Sequence, residues 1–329
     1  MKKHTVIITP YLLIAILLIS CNDTEGDIQY KHRITLDHVE VLYNVLPSGN
    51  YTALSFTSEN TAFTITNFGD IFKTEDRGNT WTQQNSGTEL NLHNMYFLND
   101  LHGYIVGGDA DGIILKTTDG GSTWTSIDFQ VGLSAIHFIN ETIGFVSGQK
   151  LFVTKDGGET WEEVDLGYNT YRNLNFFDEE SGFLIADNTL LSTSDGGMNW
   201  ITINNKLLEN YSFKKILIFN NTACLLSNET KIFLTQDKGI TWSVVDFTFL
   251  NSIYFINILQ AIGVGQHWYD LGYYSNGKLC VTNDGGRKWE EMYFPANEFM
   301  SINSIDFSND STAIAVGNSP QGCIIKLSF

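Results

Sequence analysis

Apolar and β-branched residues come along this chain in short runs, and clusters of Asn, Asp, Gly and Ser separate the runs. Between residues 37 and 45, Val39, Val41, Tyr43 and Val45 recur at every second position, the period of a half-buried strand. The stretch Ala223-Cys224-Leu225-Leu226 is apolar throughout. The pattern predicts strands joined by turns over nearly the whole chain. One run differs. From Val6 to Ile19 the chain is apolar apart from Thr9 and Pro10, and Lys2 and Lys3 precede it. That run is short for a membrane span and has the build of a signal-peptide core.

The strand pattern is periodic. The octapeptide TKDGGETW at 154–161 recurs in related form at 74–81, 117–124, 193–200, 235–242 and 282–289. Every copy has Thr two residues before an Asp, Gly two after it and Trp five after it. The Asp residues are Asp76, Asp119, Asp156, Asp195, Asp237 and Asp284, and the tryptophans are Trp81, Trp124, Trp161, Trp200, Trp242 and Trp289. Successive Asp residues lie 43, 37, 39, 42 and 47 apart, the repeat length of a four-stranded propeller blade. A second mark keeps the same period: a Phe six residues before a Gly or Ala, at Phe56/Ala62, Phe97/Gly103, Phe138/Gly144, Phe176/Gly182, Phe255/Ala261 and Phe307/Ala313. In the fifth unit Phe219 and Ala223 are only four apart. The pair at Phe307 marks a unit beyond the last octapeptide.

The octapeptide reads as a structural turn. Its Asp accepts from backbone N–H groups that a tight turn leaves unpaired. The Gly two later takes positive φ, and the Trp opens the next strand and buries its ring. One carboxylate per copy is too few for a calcium loop, and six equivalent copies are too many for one active site.

These motifs resemble the Asp-box, or bacterial neuraminidase repeat. The TxDGGxTW series with its upstream Phe–Gly mark is most similar to the propellers of the photosystem II stability and assembly factor family, over about residues 30 to 329. The resemblance implies a propeller and, by analogy, a protein-binding scaffold. Asp-boxes also occur in sialidases, tandem-propeller glucanases and sortilin-like receptors. Family members carry an arginine-rich surface, whereas this chain has only Arg33, Arg77, Arg172 and Arg287.

Six octapeptides mark six blades. Strand-like segments at 304–307, 313–317 and 323–327 follow Trp289, and the strand-like segment 37–45 stands at the other end. The expectation is an all-β, seven-bladed β-propeller of four-stranded blades, its ring closed by an N-terminal strand joining the C-terminal blade. A six-bladed ring would leave Ile324, Ile325 and Leu327 without a sheet.

Composition adds a compartment. The chain has 329 residues, 43% of them hydrophobic, 13% aromatic and only 4 of them Pro, enough for a substantial core. The apolar run ends in Leu18-Ile19-Ser20-Cys21, which resembles a lipobox. The reading is a signal peptide over 1–20, an acylated Cys21 with a polar tether over 21–30, and a single propeller over 31–329. The alternative is an ordinary secretory signal with an incidental cysteine. The protein is expected to be an exported, membrane-anchored bacterial lipoprotein, at the periplasmic face or the cell surface. Loss of Lys2 and Lys3 would make the formal charge of −18 more negative by two. Such a surface repels nucleic acid and anionic lipid, so the lipid anchor alone would hold the membrane. Cys224, Cys280 and Cys323 lie in apolar stretches and read as small buried residues. The seven histidines lack metal-ligand spacing, and no metal or cofactor is expected.

Function is expected on the face away from the octapeptides. The longest loop there is 265–277, with His267, Trp268, Tyr269, Asp270, Tyr273 and Tyr274, and Trp268 is the only Trp outside the repeat. Exposed aromatics suit a peptide or a sugar; the alternative is an insertion folded over the channel. Loops 167–172, with Tyr168, Tyr171 and Arg172, and 292–299 should open on the same face. A sialidase would need three arginines and an Arg-Ile-Pro signature. The nearest match is Arg33-Ile34-Thr35, and Arg77 and Arg287 sit in the structural turns. A glucanase needs two carboxylates, for which Asp187, Asp270 or Glu298 are candidates. The preferred reading is a non-enzymatic scaffold for a protein partner; a glycan-binding module or glycoside hydrolase is the alternative.

Overall fold

The computed structural model describes residues 34–35, 39–246, 249–269, 274–309 and 312–328. The expected signal segment, Cys21 and the tether lie outside them. Every regular element among the described residues is a strand, and neighbouring strands are antiparallel. Five sheets have four strands each, paired in chain order; they span 92–129, 133–164, 171–202, 213–246 and 250–293. The other eight strands connect into one sheet with two arms. In the first arm Gly49–Phe56, Ala62–Thr66, Ile71–Thr74 and Thr82–Gln84 pair in order. In the second, Ser301–Asn309, Thr312–Ser319 and Ile324–Ser328 pair in order, and Val39–Leu42 adds to the last, with Val39 opposite Leu327 and Val41 opposite Ile325. Among the described residues, strand pairing joins the arms at Gly49–Ser319 and Asn50–Asn318. The period-two segment near residue 40 thus finds its partner in the segment farthest from it along the chain.

With the 49–84 arm as the first sheet, the five separate sheets are the second to sixth, and the terminal set is the arm of 301–328 with 39–42. The second strand of each is buried almost throughout; Gly103–Gly107, Gly144–Gly148 and Gly182–Ala186 have no exposed residue. The fourth strands of the octapeptide-bearing sheets are short and largely exposed, as in Glu162–Val164 and Ile201–Thr202, which suits an outer edge facing water.

The octapeptide turns form as the residues require, with one addition. In 154–161, Asp156 accepts from Thr160 N at 2.9 Å and from Thr160 Oγ1 at 2.6 Å. Thr154 donates to Asp156 at 2.8 Å and accepts from Gly158 N at 2.8 Å, so the buried threonine clamps both ends of the turn. The same four bonds recur around Asp76, Asp119 and Asp237. The hydrogen bonds from Thr160, then that from Thr154, hold the Asp156 carboxyl down at about 2.

Gly158 answers two needs. Its φ is +79°, and a Cβ there would come within 2.9 Å of the Tyr104 ring on the preceding sheet. Gly121, Gly197 and Gly239 meet Phe63, Phe145 and Phe183 in the same way. The Trp then stacks edge-on nearby, as Trp124 does on Phe63 and Trp200 on Phe145. The upstream mark also has a direct cause. Phe97, Phe138 and Phe176 lie directly across from Gly103, Gly144 and Gly182, and each ring covers its glycine so closely that a Cβ would meet it at 2.3–2.6 Å.

The fifth sheet corrects one assignment. Ala223, which pairs with the octapeptide's Thr235, lies opposite Ile218, while Phe219 lies opposite Thr222. Ile218 therefore holds the place of the repeated Phe, and the shortened first turn moves Phe219 one residue beyond it.

Candidate functional site at the mouth of the leading strands

The first strand of each sheet carries the same irregularity. The register shifts between Tyr51 and Ala53, Leu92 and Asn94, Leu133 and Ala135, Tyr171 and Asn173, Phe213 and Lys215, Leu250 and Ser252, and Ile302 and Ser304. A bulge re-aims the extra side chain. The bulged residues are Thr52, His93, Ser134, Arg172, Lys214, Asn251 and Asn303.

Side chains at and just after the bulge link each leading strand to the next. Thr52 donates to Leu92 O at 2.7 Å, and Asn94 accepts from Ile136 N at 3.2 Å. Ser134 donates to Arg172 O at 3.1 Å, and Asn173 accepts from Ile216 N at 2.8 Å. Lys215 donates to Ser252 Oγ at 3.2 Å, and Asn251 donates to Ile302 O at 3.0 Å. Ser304 accepts from Leu54 N at 3.1 Å, which returns to the first sheet.

Three of the seven bulged residues are basic and none is acidic, on a chain of formal charge −18. Arg172 is exposed, His93 and Lys214 half-buried. Burial lowers the Lys214 ammonium. His93 Nε2 lies 3.1 Å from Asp109 Oδ1, whose other oxygen accepts from Asn91 at 2.6 Å. His93, Asp109, Ser134, Gln149 and Arg172 line a crevice of about 240 Å³ between the second, third and fourth sheets. Its floor is backbone: a Cβ on Gly132 would meet Asp109 O at 2.2 Å, and one on Gly148 would meet Gly132 O at 2.1 Å.

The sixth sheet contributes a ribbon where a loop was expected. Ala261–Tyr269 and Tyr274–Thr282 stay paired from Ala261–Thr282 out to Tyr269–Tyr274. The third strand's other neighbour pairs only as far as Lys278–Tyr293, so residues 266–269 and 274–277 overhang. The 292–299 loop props that overhang. Phe294 N donates to Gly277 O at 2.8 Å, Gly277 N donates to Phe299 O at 2.7 Å, and both phenylalanines are buried. Trp268, Tyr269 and Tyr274 fall on the ribbon strands, though their side chains lie outside what is described. The His267 ring meets Tyr293 edge-on at 5.0 Å. Asp270 and Tyr273 lie outside the described residues.

The fourth-sheet candidates divide. Tyr171 is 2% exposed, and its hydroxyl accepts from Leu166 N at 3.1 Å. It is a core residue, because the bulge that turns Arg172 outward turns its neighbour in. Tyr168 is half-buried, edge-on to Tyr171 at 6.3 Å. Tyr168 and Arg172 are separated from the ribbon by the whole fifth sheet.

Among the carboxylates weighed for hydrolysis, Asp187 accepts from Thr170 N and Thr170 Oγ1 at 3.0 and 3.1 Å, in a turn with φ +48°. Glu298 accepts from Tyr43 at 2.7 Å. The residues missed from the sequence are His93, Lys214 and Lys215. A signal existed: each bulged residue lies four before the repeated Phe or its Ile218 equivalent.

No curated protein matches the sequence. Solved structures match over most of its length. A structure of YCF48 bound to D1 peptide superposes with a TM-score of 0.68 at 17% identity, covering 90% of this chain and 98% of that one. The GH74 enzyme of Niastella koreensis gives 0.69 at 15%, over 86% of this chain and 53% of that one. The WD40 β-propeller domain of Doa1 gives 0.61 at 12%, over 88% and 97%. The shared fold is the β-propeller. The family model of the photosynthesis system II assembly factor YCF48 matches residues 79–170 and 164–250, just over half of the sequence, and the chain belongs to that family.

Proposed function

We propose that this chain is a non-enzymatic scaffold, a closed seven-bladed propeller that takes a carboxylate-bearing segment of a protein partner at the mouth formed by its leading strands. The observation that carries this reading is the basic set His93, Arg172 and Lys214 on bulged positions of an acidic chain. Local positive charge in an acidic surface selects where an anionic segment docks, and exposed pairs there weaken with salt. The relative bound to a peptide belongs to the same family and supports a peptide as the ligand class. Seven leading strands with a common bulge, each bonded to the next and the last to the first, support seven blades and closure. Pairing of Val39–Leu42 with Ile324–Ser328 supports the terminal blade built from both chain ends. The lipobox-like Leu18-Ile19-Ser20-Cys21 supports export and acylation in a bacterial envelope.

Mild-detergent pull-down of the tagged protein should recover a stoichiometric envelope protein, lost in Arg172→Glu/Lys214→Glu. Recovery of the bait alone would sink the scaffold. Glycan-array binding abolished by Trp268→Ala would move the reading to the glycan-binding alternative, which the likeness to a GH74 fold supports at the level of architecture. Cys21→Ser should release the protein from membranes; unchanged retention refutes acylation.

A further inference from the structure

Beyond the mouth, the leading strands enclose a cavity of about 460 Å³. Two charged side chains of opposite sign line it, Lys215 from the fifth sheet and Asp306 from the terminal set. Neither charge is explained by the repeat: at the place of Asp306 the fourth sheet carries the uncharged Asn175, which likewise accepts from the amide of the Phe that follows it. At the position of Lys215 the second and fourth sheets carry Asn94 and Asn173, and the terminal set Ser304, each accepting an amide of the next leading strand. An ammonium only donates, so Lys215 cannot do that work. Its amine reaches Ser252 Oγ at 3.2 Å, and no carboxylate among the described residues lies within ion-pair distance of it. Desolvation, then the neighbouring Lys214, lowers it to about 8.

Asp306 accepts from Phe56 N at 2.7 Å and from Phe307 N at 2.9 Å. Those bonds use two of the roughly four acceptor sites of a carboxylate. Burial pushes its carboxyl up to about 6, and no cation among the described residues pairs with it. Lys215 bonds at the level of Ser252, whereas Asp306 stands two residues farther along its own strand than Ser304. Two residues of strand are about 6–7 Å, too far for a direct pair. A body with one charge at each end, hydrogen-bonded at both, spans such a gap.

We propose that the central cavity binds a small zwitterion, a free α-amino acid, whose carboxylate takes Lys215 and Ser252 and whose ammonium takes Asp306. A net-neutral ligand also enters this strongly acidic chain without net repulsion. Lys215, Ser252 and Asp306 are distinct from the basic set of the mouth, though His93 also lines this cavity; Arg172→Glu/Lys214→Glu tests the partner-binding reading, and Lys215→Gln and Asp306→Asn test this one.

The test is isothermal titration of the purified full chain with the proteinogenic L-amino acids, with acetate and methylamine as single-charge probes. At least one amino acid should bind one-to-one, and acetate and methylamine about tenfold or more weaker. Lys215→Gln and Asp306→Asn should each weaken binding about tenfold, the loss of one charge-assisted hydrogen bond. No heat with any amino acid at millimolar concentration, or affinity unchanged in Lys215→Gln, overturns the proposal. If a variant fails to fold, the wild type decides: the bound amino acid should slow reductive methylation of Lys215 read by mass spectrometry, and an unchanged rate overturns it.

Discussion

The seam between the terminal set and the first sheet and the seam between the fifth and sixth sheets are built to different standards. At the first, Leu54 N, Phe56 N and Tyr51 O each find a side chain, on Ser304, Asp306 and Asn303, at 2.7–3.1 Å. Gly78 sits so close to Ile314 that a Cβ would meet it at 2.4 Å. At the second, the bond between the leading strands is Lys215 to Ser252. Where Phe63, Tyr104, Phe145 and Phe183 wedge the four seams from the first sheet to the fifth, the equivalent residue here is Cys224, and no atom lies closer than 3.7 Å to a Cβ built on Gly286. Trp289, Leu234, Phe255 and Ile258 line the small apolar gap that results. The difference follows from connectivity. The fifth and sixth sheets are joined by a few residues of chain, whereas the terminal seam brings together strands about 250 residues apart and must offset a larger loop-closure entropy.

The largest effect expected from breaking this contrast is at the terminal seam. Ile324 is fully buried there beside Ile314 and Tyr51. Ile324→Ala should cost about 2–5 kcal/mol in urea unfolding. A loss below about 1 kcal/mol would show that the seam carries little of the stability.

Asp306 gives the same seam a pH signature. Its folded carboxyl titrates near 6, above the ordinary 3.8, so the folded state holds the extra proton between those values. Stability present below about pH 4 is therefore lost as pH rises through 6, by on the order of 3 kcal/mol. Asp306→Asn should flatten that slope. Below pH 4 the depressed Asp119 and Asp156 act with the opposite sign, losing stability as pH falls toward 2. An unchanged slope between pH 4 and 6 in the variant would place the titration elsewhere.

Paired glycine substitutions sharpen the contrast. Gly286→Ala pays only for φ +86°, about 1 kcal/mol, whereas Gly158→Ala adds the clash with Tyr104 and should cost distinctly more. Equal losses, compared by thermal unfolding, would erase the difference between the seams. The smallest effect is Cys224→Leu, which adds bulk at the wedge position and should change stability by less than about 1 kcal/mol, in the stabilising direction. A loss of more than 2 kcal/mol, on the order of an overpacked core, would mean the gap is needed.

The turns and most strands were legible because their causes are local. Asp156, Thr160 and Gly158 act within a few residues, so their chemistry repeats with the sequence. The Phe–Gly mark was legible as a period, though its cause, a ring lying over a glycine across the hairpin, appears only in the register. Ile218 escaped because register, not residue type, assigns it. Most of the candidate site was illegible. His93 comes from one repeat and Lys214 and Lys215 from another, and all look like ordinary strand residues until the shared bulge aligns the two strands. Tyr171 looked exposed because its loop is polar, yet the bulge faces it inward.

By itself the sequence determined the class of element, the repeat length, the turn chemistry and the acidic charge, since each depends on neighbours along the chain. The tertiary structure decided which residues share the mouth and the cavity. It also decided that 266–269 and 274–277 extend as a paired ribbon propped by the 292–299 loop, and that residue 39 meets residue 327. Those outcomes depend on register and on contacts between distant segments, and neither is written in any one stretch of sequence.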